Sequence, residues 1–296
     1  MRELFTGTGV ALITPFTSDL SVDYTALEHL VTEVIEGGVD YLVVLGTTGE
    51  SVTLNREEKE RVLRSVAHTA GGRVPLVAGI GGNSTSAVLE DFKNTDLGGY
   101  SGILSVSPYY NKPTQEGIFR HFETLASNSP LPLILYNVPS RTGSNMLPET
   151  VIRLANACPN IMGIKEASGD LHQIQDILSK APEGFLVISG DDLTAVPAIL
   201  DGGAGVISVL GQGIPGVFTR MIHLARSGKG EEAMAIHNQI APLVELLFRE
   251  GNPAGIKALL ELRGICSSAV RLPLIAPSKN LRGQIEAFII QHGLAH

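Results

Sequence analysis

The sequence reads as an α/β protein: a closed (β/α)8 barrel with a small helical unit after it. Three observations carry that reading. Strand-like and helix-like segments alternate from Val10 to about Arg226. The strand-like segments are continuous apolar runs, which implies burial on both faces and a parallel sheet. Eight βα units can be counted, with glycine-rich loops after several strands, and that number favours closure over an open sheet.

Taken in order, Val10–Thr14 is the first apolar run and stops at Pro15. Asp23–Glu36 then repeats apolar residues at Leu27, Leu30, Val31, Val34 and Ile35, a helical spacing that Gly37-Gly38 ends. Tyr41–Leu45 is the second strand, followed by the loop Gly46–Ser51. Asn55 suits an N-cap, and Glu57 and Glu58 in the first turn favour a helix to about Ala70. Further strands are expected at Pro75–Ala78, Ile103–Val106, Leu133–Tyr136, Ile161–Ile164, Leu186–Ser189 and Val206–Val209. Helical patterns lie between them at Ala87–Asn94, Glu116–Ser127, Pro148–Asn156, Leu171–Ser179 and Thr194–Leu200. Beyond Arg226 the strands cease, and Glu231–Arg249, Pro253–Arg263 and Leu281–His292 read as three helices. Gly251-Asn252-Pro253 and Leu272-Pro273 break them. The expected division is a TIM barrel over residues 1–226 and a C-terminal helical domain over residues 227–296.

Composition narrows the classes of function. The chain has 296 residues, and α/β barrels commonly run to ~250 residues as one unit. At 44% hydrophobic and 18% charged residues it has an ordinary globular composition. The net charge of -8, with no cluster of Lys or Arg, argues against nucleic acid and anionic membranes as partners. Cys158 and Cys266 are too few for a disulfide framework and read as small core residues, consistent with a cytoplasmic location. No charged segment precedes a long apolar run at the N-terminus, so no signal peptide is expected. No window approaches the ~18 apolar residues of a membrane span.

In a barrel of this kind, catalytic groups come from the C-terminal ends of the strands and the loops after them. Those positions hold Gly46-Thr47-Thr48-Gly49-Glu50-Ser51, Ser107-Pro108-Tyr109-Tyr110-Asn111, Tyr136 through Gly143, Lys165, Ser189-Gly190-Asp191-Asp192 and Ile207. Burying an ammonium costs free energy, so a lysine in an apolar pocket gives up its proton more easily. A neutral amine can attack a ketone and form a Schiff base. Glycines flanking Thr47 and Thr48 let backbone N–H groups and hydroxyls converge on an anion such as a 2-oxo acid carboxylate. Tyr136 could carry protons to and from a carbinolamine within reach of Lys165. Arg141 offers a planar fork to a second carboxylate. Together these groups describe an aldolase-type reaction on oxo acids.

Each residue also has a plainer reading. Lys165 could snorkel to the surface, Thr47-Thr48 could cap a loop, and Tyr109 and Tyr110 could be packing or interface aromatics. Tyr136 could be a core tyrosine, Arg141 could pair with a surface carboxylate, and Asp191-Asp192 could cap the next helix. These readings leave unexplained why all these residue types fall at one end of one barrel.

The segments G-T-T-G-E-S, S-P-Y-Y-N-K-P, Y-N-V-P-S-R-T-G, G-I-K-E-A-S-G-D and S-G-D-D together resemble the dihydrodipicolinate synthase family. That family belongs to the class I pyruvate-aldolase superfamily, which also holds N-acetylneuraminate lyase. The resemblance spans essentially the whole chain. It implies condensation of pyruvate with L-aspartate-4-semialdehyde, without a cofactor or metal, through a Schiff base at Lys165. It also implies a proton relay of Tyr136, Thr47 and Tyr110, with Tyr110 supplied by a neighbouring subunit of a homotetramer built from two tight dimers. By the same resemblance Thr48 binds the pyruvate carboxylate, Arg141 binds the carboxylate of the semialdehyde, and Gly190 and Ile207 line the pocket through backbone groups. Within the superfamily, an arginine at position 141 suits a short charged aldehyde, whereas sugar-acid lyases and aldolases need room and hydroxyl partners there. Lysine-inhibited members carry histidine-like residues near positions 56 and 59 and an acid at 87. Here these are Arg56, Lys59 and Ala87, so weak or absent lysine feedback is expected.

Three other readings compete. Gly211-Gln212-Gly213-Ile214-Pro215-Gly216 matches the dinucleotide-binding fingerprint G-x-G-x-x-G after a strand. That fingerprint also needs a further strand ending in an acid ~20 residues on, where only helical segments lie, so the glycines read as helix–barrel packing. A non-catalytic barrel predicts damage to the reactive set, and none is seen. A metal-dependent aldolase needs clustered ligands, but the eight His residues are scattered without ligand spacing.

Overall fold

The computed structural model describes residues 2–294. In chain order its elements are β1 (Gly7–Ala11), α1 (Tyr24–Glu36), β2 (Tyr41–Val44), α2 (Arg56–Ala70), β3 (Leu76–Gly79), α3 (Thr85–Asn94), β4 (Gly102–Val106) and α4 (Gln115–Asn128). There follow β5 (Leu133–Asn137), the single turn α5 (Pro139–Thr142), α6 (Pro148–Ala157), β6 (Ile161–Glu166), α7 (Leu171–Lys180), β7 (Leu186–Ser189), α8 (Ala195–Leu200) and β8 (Gly205–Ser208). Four helices close the chain: α9 (Pro215–Arg226), α10 (Gly230–Arg249), α11 (Ala254–Leu262) and α12 (Lys279–Gln291). The eight strands pair in sequence order and β8 returns to β1, closing the expected (β/α)8 barrel. Every pairing is parallel.

Because parallel strands are covered on both faces, the apolar residues divide into two sets. Val43, Val77, Leu104, Ile134, Ile188 and Ile207 fill the barrel interior. Residues on the opposite strand faces, such as Leu42, Ile103, Leu135 and Ile164, pack with the helices in one continuous outer core. That outer core runs on into Leu243, Leu247, Leu259 and Ile285 of the C-terminal helices. Burying side chains of this size contributes ~1.5–3 kcal/mol each before entropy is charged against it.

Local signals place the helices. Asn55 caps α2 through a reciprocal box: its side chain accepts from the Glu58 N–H, and Glu58 accepts from the Asn55 N–H, both at 2.9 Å. Gly71 ends that helix at φ 56°, the left-handed conformation that glycine adopts without steric cost. Some boundaries differ from expectation. β1 lies three residues earlier than the apolar run Val10–Thr14, because its register with β8 begins at Gly7↔Gly205. The ladder ends when the Ile13 N–H turns to the Gln212 side chain at 2.9 Å. β6 extends through Lys165 and Glu166 and does not stop at Ile164.

Candidate active site

Lys165 reaches the barrel interior because β6 carries one extra residue. Leu133 pairs with Ile161, but the next residue, Ile134, pairs with Gly163, so Met162 is accommodated as a bulge. Side chains alternate faces along a strand, so one extra residue reverses the facing of everything beyond it. Ile164 therefore faces the helices, while Lys165 pairs with inward-facing Tyr136. The lysine is 5% exposed. Its Nζ stands 4.5 Å from the centroid of the Tyr136 ring. Among the described residues it makes no hydrogen bond and no ion pair, so the snorkelling alternative does not describe it. Gly190 presses on its stem: a methyl built there would lie 2.9 Å from Lys165 Cε and 3.0 Å from Cγ.

The turn after β2 stands beside this lysine's end of the barrel. Thr47–Gly49 forms one 3₁₀ turn, and Glu50 follows in the left-handed region at φ 51°, a conformation that costs a non-glycine residue ~1–2 kcal/mol. Leu20, Leu45, Tyr110 and Lys112 also have positive φ, so five such residues lie in the loops at this face. The Thr48 hydroxyl is buried and accepts from Asn252 Nδ2 at 2.9 Å. With that lone pair occupied, its single proton is free to be donated elsewhere. Glu50 accepts from Lys257 Nζ at 2.5 Å.

A cavity of about 240 Å³ opens above the strand ends, with Thr47, Tyr136 and Arg141 among its lining and Leu104, Val106 and Val138 as apolar wall. Arg141 sits on α5, exposed, and among the described residues its guanidinium has neither a hydrogen bond nor an ion pair. A surface carboxylate partner, the plainer reading of this residue, is not what it has. Ile207 belongs to the interior cluster with Tyr136 and Ile188. Thr48, Lys165, Gly190 and Ile207 are not part of the cavity lining; the lysine meets it through its contact with the Tyr136 ring. Tyr110 stands apart, 89% exposed and outside that lining.

Buried carboxylates brace the site from behind. Glu166 faces away from the interior and accepts from Asn137 Nδ2 at 2.9 Å, Gln173 Nε2 at 2.9 Å and the Ser168 N–H at 2.8 Å. Burial pushes its carboxyl up, and these hydrogen bonds oppose that shift. Asp191 and Asp192 divide their tasks. Asp191 accepts from the Leu193 N–H at the start of the next turn. Asp192 instead reaches across to β8's loop, accepting from the Leu210 N–H at 2.8 Å and the Val209 N–H at 3.2 Å. Burial raises its carboxyl to about 6. Asp191 thus caps the turn ahead of α8 and not the helix itself, whose N-cap is Thr194, so the helix-cap reading describes neither aspartate.

Asn252, Glu50, Lys257 and Glu166 have no role assigned to them from the sequence. The only signals were the Gly251-Asn252-Pro253 break and the position of Glu50 beside the paired threonines. The Gly211–Gly216 motif has a packing explanation. A methyl on Gly213 would lie 2.5 Å from Leu259 Cδ2, and one on Gly211 3.1 Å from Val10 Cγ2. Gln212 between them is buried and donates to Ala11 O at 2.9 Å. Among the described residues no group of three or more His, Cys, Asp or Glu side chains is placed to hold a metal. No helix among them is long and apolar enough to cross a membrane.

Comparison with known proteins establishes the family and supports the fold. The model of the dihydrodipicolinate synthetase family matches residues 4–292. A 4-hydroxy-tetrahydrodipicolinate synthase of Flavobacterium psychrophilum is 51% identical over 98% of this chain and 99% of its own length. Among solved structures, the dihydrodipicolinate synthase of Cyanidioschyzon merolae with lysine bound superposes with a TM-score of 0.94 at 41% identity, covering 98% of this chain and 99% of that one. The chloride-inhibited dihydrodipicolinate synthase of Acinetobacter baumannii complexed with pyruvate also superposes with a TM-score of 0.94, at 39% identity and the same coverage. The chain described here belongs to the dihydrodipicolinate synthetase family.

Proposed function

We propose that this chain is a lyase with 4-hydroxy-tetrahydrodipicolinate synthase activity. It condenses pyruvate with L-aspartate-4-semialdehyde, the committed step of diaminopimelate and lysine synthesis. The observation that carries this reading is Lys165, a buried amine without a hydrogen-bonding or ionic partner, lying against the Tyr136 ring at the strand ends.

The Lys165 amine adds to C2 of pyruvate, and the carbinolamine loses water to give a protonated imine. That imine withdraws electrons from the methyl group, which gives up a proton and becomes an enamine. The enamine carbon attacks the aldehyde carbon of the semialdehyde. The substrate's own amine then attacks the imine carbon, which closes the ring and releases Lys165. Tyr136 and Thr47, with Tyr110 from a second copy, carry the protons. The Thr48 hydroxyl donates to the pyruvate carboxylate. Arg141, free of any protein carboxylate, binds the carboxylate of the semialdehyde. Gly190 and Ile207 shape the pocket floor through backbone groups.

Exposure of Tyr110 (89%) and Val52 (84%) near the barrel mouth supports burial of this face against a second copy, within a homotetramer of two dimers. A cytoplasmic location and a boundary near residue 226 between barrel and helical domain belong to the same proposal. Borohydride reduction in the presence of pyruvate, followed by peptide mass analysis, tests the chemistry. The adduct is expected on Lys165 and absent from Lys165→Ala. Turnover of aspartate-semialdehyde, in preference to sugar aldehydes, is expected to separate the synthase from an N-acetylneuraminate lyase-like or 2-keto-3-deoxy sugar acid aldolase activity. An adduct elsewhere, or none, overturns the proposal.

A further inference from the structure

A fully buried ion pair lies directly behind the threonine turn. Lys257, on α11, is 0% exposed. Its Nζ donates to Glu50 Oε1 at 2.5 Å and to Ala269 O at 2.8 Å, and it lies 4.1 Å from the Phe16 ring centroid. The other Glu50 oxygen accepts from the Arg271 N–H at 3.0 Å. The Arg271 guanidinium in turn reaches Glu58 and Thr53 O of the segment that follows the turn.

Such a pair calls for an explanation beyond stability. Taking two charges out of water offsets most of their attraction, and an apolar pair of similar size fills the same space at no loss. What an apolar pair does not do is fix direction. The Glu50 backbone is held in the left-handed region, and its N–H and C=O close the turn on both sides. The Glu50 N–H donates to Thr47 O at 3.1 Å, and Glu50 O accepts from the Thr53 N–H at 2.9 Å. The side chain of Glu50 is therefore a handle on the orientation of Thr47 and Thr48. Both groups that grip it, Lys257 and the Arg271 N–H, come from more than 200 residues away in the chain.

We propose that Lys257, acting through Glu50, is a positioning residue that sets the Thr47–Thr48 turn for the carboxylate of the 2-oxo acid, so that the C-terminal helices form part of the substrate-binding apparatus. This inference rests on the Schiff-base reading above and adds a role for a residue that touches no substrate.

The test uses the full-length protein and the pyruvate concentration that half-saturates borohydride trapping at Lys165. In Lys257→Met/Glu50→Gln both charges are gone and the volume is kept, so the fold is expected to persist, checked by the thermal midpoint. Half-saturation is expected to rise about tenfold, the scale of one weakened hydrogen bond to a charged group. The KM for aspartate-semialdehyde is expected to stay within about twofold, because Arg141 is untouched. The same charge-free Lys257→Met/Glu50→Gln variant, combined with Thr48→Val, supplies a second measurement, since removing Glu50 alone would strand a buried ammonium. The raised half-saturation from Lys257→Met/Glu50→Gln is expected to vanish once the Thr48 hydroxyl is absent. Losses that add independently, or unchanged pyruvate dependence in the double variant, overturn the inference while wild-type trapping leaves the Schiff-base reading intact. Failure of wild-type trapping overturns both.

Discussion

Gly190→Ala is a demanding test of the geometry around Lys165. The Gly190 N–H donates to Glu166 O at 2.7 Å, and its backbone is not in the left-handed region. The substitution therefore adds no backbone strain and acts only through the new methyl. That methyl would lie 2.6 Å from Ala167 Cβ, 2.9 Å from Lys165 Cε and 3.0 Å from Lys165 Cγ. Carbon atoms rest at ~3.5–4.0 Å, so one side must yield by about 1 Å. Ala167 has no rotatable atoms with which to yield, which leaves the lysine stem. Overpacking of this kind costs ~1–3 kcal/mol of stability. A reacting atom misplaced by ~1 Å costs about a hundredfold in rate. The expected result is a variant that folds, with its thermal midpoint lowered by a few degrees, but whose kcat and rate of borohydride trapping with pyruvate both fall about a hundredfold. Circular dichroism melting and steady-state kinetics on the same preparation measure both effects. A trapping rate within threefold of wild type would refute the claim that Gly190 holds the Lys165 stem in place.

Three further outcomes are expected. Arg141→Ala should raise the KM for aspartate-semialdehyde about 10- to 100-fold, the scale of a lost charge-assisted hydrogen bond, with pyruvate trapping unchanged; equal losses for both substrates would reassign the guanidinium. For Asp192, burial raises the folded carboxyl from 3.8 to about 6, so the folded state holds the extra proton between those values. Its stabilising effect is thus present at low pH and lost as pH rises through that window, by up to about 3 kcal/mol. Denaturant melts of Asp192→Asn should lack this slope, and a wild-type slope in the variant would assign it elsewhere. Finally, free lysine at low millimolar concentration should leave activity nearly unchanged. The neighbouring cavity carries Arg56 and Lys59, with Ala87 where a carboxylate is missing. Arg56 is partly neutralised by Glu60 at 2.9 Å, so Lys59 carries most of the repulsion, and strong inhibition would show that Glu60 and Asp91 in the same cavity outweigh it.

The barrel was legible because parallel strands buried on both faces must be written as unbroken apolar runs. Each of the eight runs became a strand. The boundary error at β1 has a physical cause: Leu12 and Ile13 are as apolar as any strand, but a side chain from Gln212 takes over the backbone donor of Ile13. The residues at the strand ends were legible because the barrel topology gathers them at one face. Asn252, Glu50 and Lys257 were not, since their partnerships join positions more than 200 residues apart, and no local pattern records a contact made by closure of the whole fold. Glu166 was hidden differently, as an acid in an apolar strand whose donors come from Asn137 and Gln173 on two other elements.

The amino-acid sequence by itself determined that a lysine ends the sixth strand, that paired threonines follow the second, and that an arginine follows the fifth. It did not determine which way the lysine points. Strict alternation from outward-facing Ile161 would have turned Lys165 toward the helices. Only the register of β6 against β5, which admits Met162 as an extra residue, turns the amine into the barrel interior. That register depends on pairing between strands and on how their side chains pack, which is why only the tertiary structure could decide it.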